Sequence, residues 1–227
     1  MTATGERSDM PSNLGSAAYD EMKDRLMRGT YRPGTKLTVR LVADTLGVSS
    51  TPARDAINRL AAEAALAYAG PKTVVVPVLT EADLHEITAV RIALEGLAAE
   101  QAVKSATSAD VDKLVSIQML INSALDASRY EDALSHNKEF HFLVYRLSGF
   151  RNLVAMIETQ WLRVGPSFHD LYPEFALERQ GVRNHEMAME ALADRDGNAL
   201  RAAFENDIRE GSRRLRKAIG ERRQRHR

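Results

Sequence analysis

The stretch Leu46-Gly47-Val48-Ser49-Ser50-Thr51-Pro52-Ala53-Arg54-Asp55-Ala56-Ile57-Asn58-Arg59-Leu60 leaves the backbone few choices. Gly47 follows a helical run over 39–46 and tolerates the left-handed conformation that ends a helix. Val48 fits a buried turn position. Ser49 or Ser50 can cap a new helix, and Pro52 is accepted in its first turn, where a missing N–H costs nothing. Beyond it Ala53, Ala56, Ile57 and Leu60 recur at helical spacing and mark an inward face. Two short helices joined by a glycine-containing turn make a helix-turn-helix.

The flanks extend the unit. Residues 16–28 read as a helix through Ala18, Met22 and Leu26, stopped by Gly29, and Pro33-Gly34 marks a turn before a short extended piece at Leu37 and Val39. Residues 66–68 and 74–78 are β-like, with Ala69-Gly70-Pro71-Lys72 turning between them as a wing. Such a unit lays the start of its second helix in the major groove. Here that start is Ser49, Ser50 and Thr51, small enough to let the backbone approach phosphates, with Arg54 one turn on to reach a guanine edge or a phosphate. Lys72 at the wing tip suits the backbone or minor groove. A helical hairpin without a DNA role is the bland alternative, disfavoured by the ordered set of helix, strand, helix, turn, helix and hairpin.

From Thr80 onward almost everything reads as helix, so the expected class is mainly α: a winged helix-turn-helix followed by an all-α bundle. The expected division is a flexible arm over 1–15, the reader over 16–78, an effector-binding and dimerisation domain over 79–220 and a basic tail over 221–227. Ser108 is read as the cap of the second bundle helix. The loop between Pro166 and Pro173 contains His169. Net charge is zero, but residues 1–80 carry +2, 81–212 carry −9 and 213–227 carry +7, a segregation that suits a nucleic-acid end and a ligand end.

Several polar residues fall on inward faces of the bundle. Asn137 and His141 are four apart and share a face; His185 lies among Val182, Met189 and Leu192; Asp207 lies among Leu200, Phe204 and Ile208. Buried polar groups need partners, so these four converging would form a divalent metal site or an anion-binding pocket. Arg91, within the inward stripe of the first bundle helix, adds a cation suited to a carboxylate ligand, or else is a member of a structural ion pair. Taken singly, each histidine is an ordinary hydrogen-bonded core residue.

The string Pro33-Gly34, Leu46-Gly47-Val48-Ser49, Thr51-Pro52, Arg54, Ala56 and Arg59-Leu60 resembles the reader of the GntR family of bacterial regulators, over roughly residues 16–78. The resemblance implies that Arg40, Ser49, Thr51, Arg54 and Lys72 contact DNA. Ser50 stands where the family usually has arginine, Asp55 replaces glutamate and Ala64-Ala65 replaces Gly-Leu. Residues 81–215 resemble the helical effector (FCD) domain of the FadR-type subfamily, many members of which bind a metal through an aspartate and three histidines beside an effector carboxylate. Asn137-Lys138-Glu139-Phe140-His141 matches the Asp-x-x-Phe-His element, His185-Glu186 fits the second histidine, and Asp207 falls at the third. The implied set is therefore Asn137, His141, His185 and Asp207, for zinc, nickel or manganese, with a metal-free pocket as the other outcome, and Arg91, His141 and His185 toward the effector.

The functional expectation is a cytoplasmic transcription regulator, a repressor by family habit. It acts as a homodimer on a pseudo-palindromic operator in double-stranded DNA and answers to a small organic acid. A metal-responsive regulator is the first alternative. A metal-dependent enzyme is less favoured, since the chain has no HExxH, phosphate loop or nucleophile elbow. The chain has no cysteine, which excludes disulfides and thiolate chemistry, and no apolar run long enough to span a bilayer.

Overall fold

In the computed structural model, which describes residues 10–173 and 178–225, the chain is mainly helical, as expected. The reader comprises α1 (Met10–Met27), β1 (Lys36–Thr38), α2 (Val39–Leu46), α3 (Ser50–Ala62), β2 (Ala67–Gly70) and β3 (Thr73–Val75). The strands form one antiparallel sheet in the order β1-β3-β2, with Leu37 opposite Val74 and Tyr68 opposite Val74 on its other side. Of the arm expected over 1–15, residues 1–9 lie outside the described residues and residues 10–15 belong to α1.

Local chemistry builds the helix-turn-helix as its sequence requires. Thr38 caps α2 by accepting from the Leu41 N–H, and Gly47 ends it at φ 65°, its N–H donating to Ala43 O. Ser49 occupies the cap position of α3, yet its hydroxyl makes no bond to the helix backbone. Tyr19, Met22 and Leu26 of α1 pack with Ala53, Ile57 and Leu60 of α3 into the reader core. The Arg59 guanidinium lies 3.5 Å above the Tyr19 ring, whose hydroxyl donates to Glu63. The second wing strand ends at Val75 instead of Val78, because Pro77 has no N–H to extend a ladder.

The second unit comprises α4 (Glu81–Ala102), α5 (Ser108–Asp126), α6 (Tyr130–Leu147), α7 (Arg151–Val164), a 3-10 segment (Gly165–Leu171), α8 (Gln180–Ala193) and α9 (Gly197–Arg225). Capping boxes open α4 through Thr80 and Asp83, and α5 through Thr107 and Asp110. The cap of α5 is thus Thr107; Ser108 is the first helical residue. The loop expected after Pro166 is instead 3-10 helix. The expected basic tail continues α9 to Arg225, with Arg222 bonded to Asp170; residues 226–227 lie outside the described residues.

The two units share packing. Lys23 on α1 pairs with Glu158 on α7 at 2.5 Å, and Asp24 pairs with Lys138 on α6. Gly165 fits directly against the end of α1: a Cβ there would lie 2.6 Å from Leu26 O and 2.8 Å from Met27 O. Gly29, at φ 72°, is matched to the same place, since its Cβ would lie 2.9 Å from Gly165 O. His169 sits beside this contact, half-buried, with its pKa lowered by burial and by the nearby Arg32.

Candidate functional site

The outer face of the reader carries the residues singled out from sequence. Ser49, Ser50, Thr51 and Arg54 are exposed along the start of α3, and Lys72 is exposed in the turn between β2 and β3. Arg40 is 92% exposed and only loosely paired with Asp44, at 3.7 Å. A concave surface of about 650 Å³ lies between the helices and the hairpin, lined among others by Thr38, Arg40, Ser50, Arg54 and Lys72. The unbonded Ser49 hydroxyl and the unpaired first N–H groups of α3 suit phosphate oxygens. Tyr68 and Asn58, hydrogen-bonded to each other at 2.8 Å, line the same surface. Sequence reading missed both, although each falls on the outward side of an element already assigned.

Inside the bundle, α6, α8 and α9 bring His141, His185 and Asp207 together. His141 Nε2 lies 3.2 Å from His185 Nε2 and 3.4 Å from Asp207 Oδ2, and one donor atom from each residue lies within 4.8 Å of the others. Both histidines are buried, at 1% and 3% exposure. Asn137, one turn before His141, lines the adjoining cavity with His141 and Asp207.

Hydrogen bonds fix which ring nitrogens face one another. Gln118 donates through its amide nitrogen to Asn122, so its Oε1 accepts from His185 Nδ1 at 2.7 Å. His185 Nε2 then carries a lone pair. Tyr145 donates its proton to Glu95, so its oxygen accepts from His141 Nδ1 at 2.9 Å, and His141 Nε2 is bare as well. Two lone pairs and a carboxylate oxygen point into one spot, an arrangement that calls for a cation between them. A tetrahedral ion with ligand bonds of about 2.0–2.2 Å needs ligand atoms about 3.3–3.6 Å apart, close to the two separations from His141 Nε2, 3.2 and 3.4 Å. The donor set therefore fits a divalent cation, held by His141, His185 and Asp207 with Asn137 adjacent.

Electrostatics agree with ligand-ready protonation states. Burial, reinforced by His141, lowers the His185 pKa to about 3, so its ring is neutral near pH 7. Burial works against the Asp207 charge, but the neighbouring His141, His185 and Arg91 side chains hold its pKa below the usual carboxylate value. Phe140 stacks on His185 at 3.9 Å, and Trp161 and Phe204 lie 5.3 and 5.1 Å from His141, which keeps the site apolar at its sides.

Arg91 lines the same cavity, and it is ion-paired there. Glu95, four residues on and wholly buried, takes its Nε at 2.6 Å and its Nη2 at 3.2 Å. Trp161 Nε1 donates to the same carboxylate at 3.1 Å. Glu95, Tyr145 and Gln118 were not singled out from sequence. Glu95 was findable, because a carboxylate four residues after an inward arginine shares its face. The cavity beside Arg91 is only about 40 Å³, and Phe168, Leu171 and Tyr172, from the 3-10 segment and its end, form part of its wall.

Comparison with known proteins agrees with both units. Residues 14–76 match the family described as bacterial regulatory proteins, gntR family, and residues 86–210 match the FCD domain. The chain is 31% identical over 203 residues to the HTH-type transcriptional regulator McbR of Escherichia coli, covering 88% of this chain and 91% of that protein. It is 28% identical to the gluconate operon transcriptional repressor of Bacillus subtilis, covering 82% and 78%. The solved structure of E. coli McbR/YncC superposes with a TM-score of 0.83 at 28% identity, over 90% of this chain and 97% of that one. A putative GntR regulator from Rhodococcus sp. RHA1, 17% identical, shares the fold at a TM-score of 0.72 over 89% of this chain and 97% of that one.

Proposed function

Because this chain belongs to the GntR family of bacterial regulators and carries an FCD domain, it is a DNA-binding transcription regulator, and we propose that it is a cytoplasmic repressor controlled by a small carboxylate effector bound beside a divalent cation. The observation that carries this reading is the convergence of two bare imidazole nitrogens and a carboxylate oxygen in one buried spot next to Arg91. A bound cation supplies a Lewis-acid grip on an effector carboxylate. His141, His185 and Asp207 hold it, Asn137 offers a carbonyl oxygen, and Arg91 faces the rest of the acid. Repression is supported by the name of the B. subtilis relative. DNA contact falls to Arg40, Ser49, Ser50, Thr51, Arg54 and Lys72.

The dimer is supported by α4. One side of that helix is buried through Leu84, Ile87, Arg91 and Ala98, while Ala89, Ala93 and Leu97 on the other side stay exposed. A helix apolar on both sides wants cover on both. A second copy supplies it, and the resulting twofold places two readers on the halves of a pseudo-palindromic operator.

Coupling to DNA runs through the 3-10 segment. The cavity is small, about 40 Å³, and Phe168, Leu171 and Tyr172 form part of its wall. An acid bound there bears on this wall. The segment that carries Phe168 and Leu171 starts at Gly165, against which the last turn of α1 is packed without space for a methyl group. Effector entry therefore shifts α1 and with it α3.

The size of the cavity also favours a second reading, in which the cation itself is the signal. The two separate in one experiment. Protein stripped with a chelator is titrated with Zn²⁺, Ni²⁺ or Mn²⁺ against an operator selected from random duplexes, then with organic acids. Operator affinity that changes on adding acid to the metal-loaded protein supports the effector reading; a full change with cation alone supports the second. Operator binding indifferent to every cation and acid refutes both.

A further inference from the structure

We propose that Glu95 is a positioning residue for the donor cluster: through Tyr145 it dictates which nitrogen of His141 carries the proton. The inference rests on the proposed cation site, but the proton placement it predicts is measurable without any cation.

His141 has a competing acceptor on each side. At Nε2, Asp207 Oδ2 lies 3.4 Å away and His185 Nε2 lies 3.2 Å away, and both favour a proton there. That tautomer would block the cation, because Nε2 is the atom that faces the other ligands. At Nδ1 the neighbour is Tyr145 Oη, at 2.9 Å, which can accept or donate. Glu95 decides between the two. Its carboxylate also receives Arg91 and Trp161, groups that only donate, so it acts as an acceptor throughout and takes the phenol proton. The Tyr145 oxygen is left as an acceptor, the His141 proton is drawn to Nδ1, and Nε2 is freed. The same carboxylate holds Arg91, so the cation-facing histidine and the acid-facing arginine hang from one buried group.

Glu95→Gln should reverse the polarity of this chain. Two donors, Arg91 Nε and Trp161 Nε1, converge on Oε1 and draw the amide oxygen there. The amide nitrogen then takes the place of Oε2 and donates to Tyr145, which must donate in turn to His141 Nδ1. The proton goes to Nε2. Tyr145→Phe keeps the ring and removes only the hydroxyl, which leaves Nδ1 without a partner, and serves if Glu95→Gln does not fold.

The test uses full-length protein. Zn²⁺ affinity is measured by competition with a chelator, followed by the fluorescence of Trp161, the chain's single tryptophan. In parallel, ¹⁵N shifts of the histidine rings are recorded in chelator-treated protein. Partners behind metal ligands typically set affinity by 10–100-fold. The expected result is Zn²⁺ binding about 10-fold weaker in Tyr145→Phe and weaker still in Glu95→Gln, with His141 Nδ1 protonated in the wild type and bare in the variants. Zn²⁺ affinities within about threefold of wild type, or Nδ1 protonated in both variants, overturn the inference. A wild type that takes up no Zn²⁺ while Nδ1 behaves as stated removes the cation site and leaves the role of Glu95 standing.

Discussion

Replacing Gly165 by alanine tests the path from pocket to reader with one methyl group. Gly165 has φ −49° and ψ −47°, helical values that alanine also adopts, so no backbone strain follows from the change itself. On propensity alone alanine would be favoured by up to about 1 kcal/mol. Against this, the new Cβ would lie 2.6 Å from Leu26 O, 2.8 Å from Met27 O and 2.9 Å from Met27 Cα, all backbone atoms with no rotamer to escape into. Carbon contacts relax only near about 3.5 Å, so α1 and the 3-10 segment must separate by several tenths of an ångström. Overpacking of this kind costs about 1–3 kcal/mol. The expected loss of stability is therefore about 1–2 kcal/mol in thermal or urea unfolding. The larger effect falls on regulation: operator binding persists, while the change in operator affinity on ligand addition, ordinarily about 5–150-fold in allosteric systems, shrinks toward none. Gly220→Ala is the control, because its Cβ meets no atom within 4 Å. Fluorescence anisotropy on labelled operator, with and without ligand, reads the coupling. Undiminished coupling in Gly165→Ala would show that the signal does not pass through this contact.

Three further outcomes are expected. Arg54→Ala should weaken operator binding by about 1–3 kcal/mol and relax sequence preference if Arg54 reads a base edge, or lower the salt slope by about one if it meets a phosphate; an unchanged salt titration and specificity would remove Arg54 from the interface. Leu97→Arg, on the exposed side of α4, should shift the protein from dimer to monomer in analytical ultracentrifugation, and a persisting dimer would place the twofold elsewhere. His185 has its pKa lowered from 6.5 to about 3 by burial, so the unfolded chain binds the extra proton. In chelator-treated protein the stability tied to this group is fully present above pH 6.5 and is lost as pH falls toward 3, by at most about 1.4 kcal/mol per pH unit. Urea unfolding at pH 6.5, 5.5 and 4.5 measures it, and an identical acid dependence in His185→Phe would refute it.

The helix-turn-helix was legible because its signals are local. Gly47 needs a left-handed φ, Pro52 belongs in a first turn, and both act within a few residues. The donor cluster was legible in part, since polar residues on inward faces stand out against an apolar stripe, as His141, His185 and Asp207 do. What holds them was harder to see. Gln118 reaches His185 across 67 positions and Tyr145 reaches Glu95 across 50, distances over which spacing carries no information. Arg91 lies on the inward face that its spacing implies, and its pairing with Glu95 is one of the two roles open to an inward arginine. The 3-10 segment was read as loop, since a proline at each end breaks the periodicity that marks longer helices.

The ion pairs of α1 bear on how such regulators can be rebuilt. By chain order α1 belongs to the reader, yet Lys23 and Asp24 are anchored on α7 and α6, and its last turn is moulded to Gly165. A chimera spliced in the short connector before Thr80 would join a foreign sensor to a lever with nothing to push it. Transplanted responsiveness should instead require that the donor's matching surface travel along with its sensor, so that the seam between modules follows contacts in space, not a boundary along the chain.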